Sequence, residues 1–115
     1  MLQIRRLEKM IDGRSVLSID ALDIAAGEIV AVLGPTGSGK TVLTHLLAGA
    51  LAPSGGSIVL DGDAISPETH KARTHMGVLF AEDLLYERQS VRSNLLFACR
   101  IYGLPTSRIE IVLGQ

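Results

Sequence analysis

The sequence predicts an α/β fold that opens with an antiparallel β pair. Three observations predict it: apolar residues alternate on either side of Asp12-Gly13, a β-branched run at residues 28–33 flows into glycines, and apolar residues at helical spacing follow those glycines. With 115 residues the chain suits one domain or a piece of one. Hydrophobic residues make up 47% and charged residues 20%, with a mean hydropathy of +0.33, which supports a core and excludes intrinsic disorder. A net charge of -1 argues against a basic nucleic-acid surface. The single cysteine excludes an intramolecular disulfide, and the Cys and His spacings do not match structural zinc. Apolar runs stop far short of the roughly 18 residues of a membrane span. Residues 1–6 are not followed by a secretory h-region, so the expectation is a cytosolic chain.

In chain order, Leu2 and Ile4, then Val16 through Ile24, read as two strands joined by the Asp12-Gly13 turn. The run Glu28-Ile29-Val30-Ala31-Val32-Leu33 has no polar alternation, the profile of a central strand covered on both faces. Val42, Leu43, Leu46, Leu47 and Ala50 recur at helical spacing, and Pro53-Ser54-Gly55-Gly56 ends that pattern. Residues 57–60 read as a short strand closed by Asp61-Gly62, followed by a polar, solvated stretch and an apolar strand at residues 76–80. Val91, Leu95, Ala98 and Tyr102 share one helical face, with Gly103-Leu104-Pro105 as the stop; Ile109, Val112 and Leu113 mark a third helix.

Gly34-Pro35-Thr36-Gly37-Ser38-Gly39-Lys40-Thr41 matches G-x-x-x-x-G-K-[ST] between a predicted strand and a predicted helix. At this composition the chance of such a match anywhere in the chain is about 0.4%. Glycines let the backbone curl around a phosphate with its N–H groups pointing inward, and the helix N-terminus adds about half a positive charge. The Lys40 ammonium would meet the β- and γ-oxygens, and the Thr41 hydroxyl is a neutral ligand for Mg²⁺ that already bridges those phosphates. These residues predict a nucleotide-binding loop in a P-loop NTPase-type core.

The residues before and after the loop extend that reading. Gly27-Glu28-Ile29-Val30-Ala31-Val32-Leu33, Leu46-Leu47-Ala48-Gly49, Ser54-Gly55-Gly56-Ser57-Ile58-Val59-Leu60-Asp61-Gly62, Leu85-Tyr86, Val91 and Asn94-Leu95 follow one another in an order that resembles the nucleotide-binding domain of ABC transporters. Ile101-Tyr102-Gly103-Leu104-Pro105 is similar to the exporter-like branch. The resemblance covers nearly all of residues 2–114 and about the first half of such a domain, so residues 1–115 read as one partial, truncated domain.

The resemblance implies ATP and Mg²⁺ as cofactors, a transmembrane permease subunit and a second nucleotide-binding domain as partners, and no nucleic acid. It also implies a cytoplasmic place at the inner face of the plasma membrane. Ile11 takes the position of the aromatic residue that stacks on adenine, a contact worth about 1 to 3 kcal/mol. Ala81 takes the position of the glutamine that reaches the metal and attacking water; the carboxylate of Glu82, next to it, either approaches the metal or is solvated. By the same resemblance the signature motif, the second apolar strand ending in acids and the switch histidine would follow residue 115. No catalytic residue is therefore assigned, and this chain alone is expected to hydrolyse ATP poorly. The alternative is a catalytically inactive nucleotide-binding or interaction module.

Other reactive residue types have ordinary readings. His45 falls off the apolar stripe of the first predicted helix, His70 and His75 lie in a polar stretch without a partner Cys or paired metal spacing, Cys99 borders an apolar helix face, and Asp61 belongs to a turn.

Overall fold

The computed structural model describes residues 1–81 and 85–115, which form two compact units, Met1–Val78 and Leu79–Gln115. The first is a four-stranded antiparallel sheet covered by a helix, with strand order β2-β1-β3-β4. Strands β1 (Leu2–Ile11) and β2 (Arg14–Ile24) form the expected hairpin. Asp12 and Gly13 both have positive φ, 50° and 74°, as in the two-residue turns whose twist matches the flanking strands.

Simple alternation along β1 would put Ile4, Arg6 and Glu8 on one face. Instead Ile4 and Leu7 are both buried, because Arg6 adopts φ 46° and three residues of β1 span two of β3. This bulge changes the phase of the strand and brings Leu7 into the core. Strand β3 (Gly55–Leu60) accommodates it at Gly56, where φ is 77° and a Cβ would lie 2.1 Å from the Arg6 carbonyl oxygen.

Residues 57–60 were expected as a strand; the pairing of Leu2 with Leu60 and Ile4 with Ile58 joins them to the N-terminal hairpin across more than fifty residues of sequence. The Asp61-Gly62 turn returns the chain into β4 (Asp63–Ala64), and the Asp61 carboxylate accepts a hydrogen bond from the N-terminal ammonium. Asp61 is therefore a turn residue, as the sequence suggests.

Helix α1 (Lys40–Leu47) lies within the predicted helix but ends earlier, at Ala48 and the left-handed Gly49. Its Leu43 and Leu46 join Ile4, Leu7, Ile58, Ile65 and Ala72 in one buried cluster. Ile65 and Ala72 fall in the stretch expected to be solvated; a short 3₁₀ turn over Ala72–His75 turns Ala72 inward.

Two predicted strands are not formed among the described residues. Residues 28–33 and 76–80 join no sheet, and Ile29, Leu33 and Leu79 are 98%, 91% and 95% exposed. A run apolar on both faces becomes a strand only with neighbours on its edges and layers over both faces. The described sheet, in the order β2-β1-β3-β4, places neither run beside its strands, so each lacks the neighbours such a strand needs.

The second unit holds α2 (Val91–Tyr102), at its predicted bounds, and α3 (Ser107–Leu113). Ser90 caps α2: its Oγ accepts from the Ser93 N–H at 3.1 Å, and Gly103 ends the helix with φ 63°. The Asn94 side chain closes the preceding loop, accepting from the Tyr86 N–H at 2.9 Å and donating to the Tyr86 carbonyl at 3.2 Å. Tyr86 meets Phe97 edge to face, with centroids 5.2 Å apart. Cys99 and Ile109 are buried, in line with a packing role for the thiol. Ser90→Ala is expected to cost about 1 kcal/mol, read as a lower helical signal for the 91–102 segment and a lower denaturation midpoint.

Arg92 of α2 is ion-paired with Glu110 of α3. The hydrogen bond from Arg92, aided by its charge, holds the Glu110 carboxyl below its usual range. A carboxyl depressed by folding stabilises the folded state above its unfolded value, about 4.3. This contribution is lost as pH falls through the lower, folded value. Since the pair is exposed, the expected effect is small. Carboxyl NMR titration should find Glu110 titrating below an ordinary glutamate, and Arg92→Gln should restore the ordinary value.

Candidate functional site

The predicted loop stands directly before α1, and the first helical hydrogen bond runs from the Leu43 N–H to the Gly39 carbonyl at 2.9 Å. The amides of Lys40, Thr41 and Val42, at the opening of the helix, have no acceptor among the described residues, and neither a side-chain cap nor an acidic residue occupies the first turn. Three unpaired donors thus stand at the positive end of a helix dipole, the arrangement that favours an anion.

Gly39 is required by its surroundings as well as by its backbone. Its φ is 95°, and a Cβ there would lie 2.7 Å from the Val16 carbonyl oxygen of β2. A Cβ at Gly34 would lie 2.6 Å from Ser38 Oγ. The Gly39 contact is with fixed backbone, whereas the one at Gly34 is with a side chain that can rotate away.

The Lys40 ammonium donates to the Pro35 carbonyl at 2.8 Å, to Ser38 Oγ at 3.3 Å and to the Gly34 carbonyl. All three acceptors are neutral and belong to its own loop, so an anionic phosphate oxygen offers a stronger, charge-assisted partner at the same place. The cleft has a volume of about 350 Å³ and is lined by Val16, Thr36, Gly37, Gly39, Lys40, Thr41 and Val42.

The structure therefore brings together Thr36, Gly37, Gly39, Lys40 and Thr41 of the predicted site, with Gly34, Pro35 and Ser38 held against Lys40. Ile11 is absent from this lining: it ends β1 opposite Arg14 and is 41% exposed. Val16 stands against the loop instead. Sequence reasoning passed over Val16 as an ordinary strand residue, since its approach depends on how β2 meets the start of α1. Glu82 lies outside the described residues, and Ala81 is exposed. Among the described residues, no three His, Cys, Asp or Glu side chains are grouped to hold a metal ion. His45 Nδ1 is 2.8 Å from the Thr41 carbonyl, one helical turn back, and His70 Nδ1 is 2.9 Å from Arg73.

Comparison with known proteins decides the family. The ABC transporter family model matches residues 17–114. The chain belongs to the ABC transporter family. It is 41% identical over 107 residues to the taurine import ATP-binding protein TauB of Jannaschia sp., covering 89% of this chain and 38% of that relative. It is 35% identical over 115 residues to the aliphatic sulfonates import ATP-binding protein SsuB 2 of Burkholderia cenocepacia, covering 100% of this chain and 41% of the other. A solved ATP-binding subunit of an ABC transporter superposes with a TM-score of 0.80 at 25% identity, covering 90% of this chain and 43% of that one.

These likenesses bear out the α/β P-loop fold of this ABC family member. The chain spans about two fifths of the length of these two curated relatives. The exporter-like branch is not supported, because the relatives are named as import proteins. Residues 101–105, which suggested it, form the end of α2 with a left-handed glycine cap and a following proline, a stop used by helices of many kinds. No helix among the described residues is long and apolar enough to cross a membrane.

Proposed function

We propose that this chain is the phosphate-gripping part of an ATP-binding subunit that powers import through a membrane permease. Residues 1–115 would form the N-terminal portion of one nucleotide-binding domain, which pairs with a second such domain at the cytoplasmic face of the membrane. The carrying observation is the cradle: free amides at residues 40–42 meet the Lys40 ammonium where no Cβ fits at Gly39. The import names of the relatives support the direction.

In this reading the main-chain amides and Lys40 would hold the β- and γ-phosphate oxygens, and the Thr41 hydroxyl would be the residue that holds Mg²⁺. With ATP bound, Mg²⁺ would spread the negative charge of the triphosphate. The donor set fits this role, since hydroxyl and phosphate oxygens suit a hard cation. Val16 and Val42 give the cleft an apolar wall. With Ile11 outside the cleft and no aromatic residue in its lining, most of the affinity comes from the phosphates. Glu82 remains a proposed oxygen donor beside Ala81.

Titration of the purified chain with a fluorescent ATP analogue and Mg²⁺ is expected to saturate and to be competed away by ATP; a signal that does not saturate overturns the reading. Ala81, in place of the glutamine the resemblance implies, favours the second reading, a binding module without turnover. Mg-ATP turnover by the chain alone, lost in Lys40→Ala, would exclude that second reading.

A further inference from the structure

We infer that the cleft of this chain selects a triphosphate and is indifferent to the base attached to it, so that ATP, GTP and UTP bind alike; this rests on the phosphate reading above. Bases are gripped by stacking on aromatic rings and told apart by hydrogen bonds to their edges, from groups such as side-chain amides and carboxylates. The unit that carries the cleft, Met1–Val78, is poor in both. It contains no Phe, Tyr or Trp: Phe80, Tyr86, Phe97 and Tyr102 all fall in the other unit. Its one side-chain amide is Gln3, which pairs with Asp23 at the end of the hairpin away from Val16. Among the described residues, no carboxylate and no histidine lines the cleft.

The polar groups that the cleft does offer suit an anion. The amides of residues 40–42 and the Lys40 ammonium donate and do not accept. Thr36 follows Pro35, whose carbonyl holds that ammonium at 2.8 Å, and Thr41 follows Lys40, so both threonines stand at the phosphate end. What remains is the apolar surface of Val16 and Val42, which meets any sugar or ring without reading its edge. The charge-assisted contacts therefore fall on the part that ATP, GTP and UTP share.

The test is competition against the fluorescent ATP analogue, with the whole chain and Mg²⁺ throughout. ATP, GTP and UTP are expected to displace it with inhibition constants within about threefold of one another, and inorganic tripolyphosphate within about tenfold of ATP. AMP keeps the base and loses two phosphates, and is expected to compete at least about a hundredfold less well than ATP. Val16→Ala is expected to weaken the three nucleotides by one common factor and to leave tripolyphosphate unchanged. GTP or UTP more than about tenfold weaker than ATP, AMP as effective as ATP, or a Val16→Ala loss confined to one nucleotide would each overturn the inference. Displacement by ATP but not by GTP or UTP removes this inference and leaves the phosphate-loop reading standing, whereas a signal that never saturates removes both.

Discussion

Lys40→Ala is expected to weaken binding of the fluorescent ATP analogue roughly ten- to a hundredfold, since a hydrogen bond to a charged group contributes about 1.5–3 kcal/mol and about 1.4 kcal/mol is a decade in Kd. The loss should fall on binding and spare the fold. Lys40 is only half-buried, its ammonium partners all lie within residues 34–38, and it takes no part in the core cluster. Equilibrium titration of both proteins, with unfolding curves run alongside, checks this. An unchanged Kd would mean that the ammonium stays with the Gly34 and Pro35 carbonyls when nucleotide is present, and the cradle described above would then not be the binding site.

Gly56→Ala is expected to be the most damaging single-methyl change to stability. The φ of 77° alone costs a non-glycine residue about 1–2 kcal/mol. The new Cβ would also lie 2.1 Å and 2.3 Å from the Arg6 carbonyl oxygen and carbon and 2.5 Å from the Arg5 carbonyl oxygen. These are backbone atoms of the neighbouring strand, so relief requires β1 and β3 to part at the bulge. The total loss should exceed about 3 kcal/mol, against a typical domain stability of about 5–15 kcal/mol. Gly13→Ala is the control: its φ is 74°, but nothing lies within 4 Å of the added Cβ. Denaturant midpoints should therefore order as unchanged chain, Gly13→Ala, Gly56→Ala, with the larger gap before the last. Equal losses would show that backbone conformation, rather than the packing of β1 on β3, sets the requirement for glycine.

The features legible in the sequence are those set by near neighbours. Asp12-Gly13 gives its hairpin because both residues tolerate positive φ, and α2 starts and stops as predicted because Ser90 and Gly103 satisfy its ends locally. The loop at residues 34–41 was legible for the same reason: its glycines, lysine and threonine are adjacent, and the helix they cap follows at once. Ile11 was harder to assign. Its position was argued from a resemblance, whereas the cleft is closed by Val16, five residues further along, on the other strand of the hairpin.

By itself, then, the sequence determined the hairpin turn, the helices, the place of the loop before its helix and the family, all written in spacings of a few residues. Only the tertiary structure decided that Arg6 bulges to carry Leu7 inward, that β3 pairs with β1, and that Val16 meets Gly39. It also decided that residues 29–33, apolar enough for a core, stand exposed. The physical reason is that helices and turns close their hydrogen bonds within a few residues, whereas a strand is completed by a partner distant in sequence, and composition does not say which partner is present.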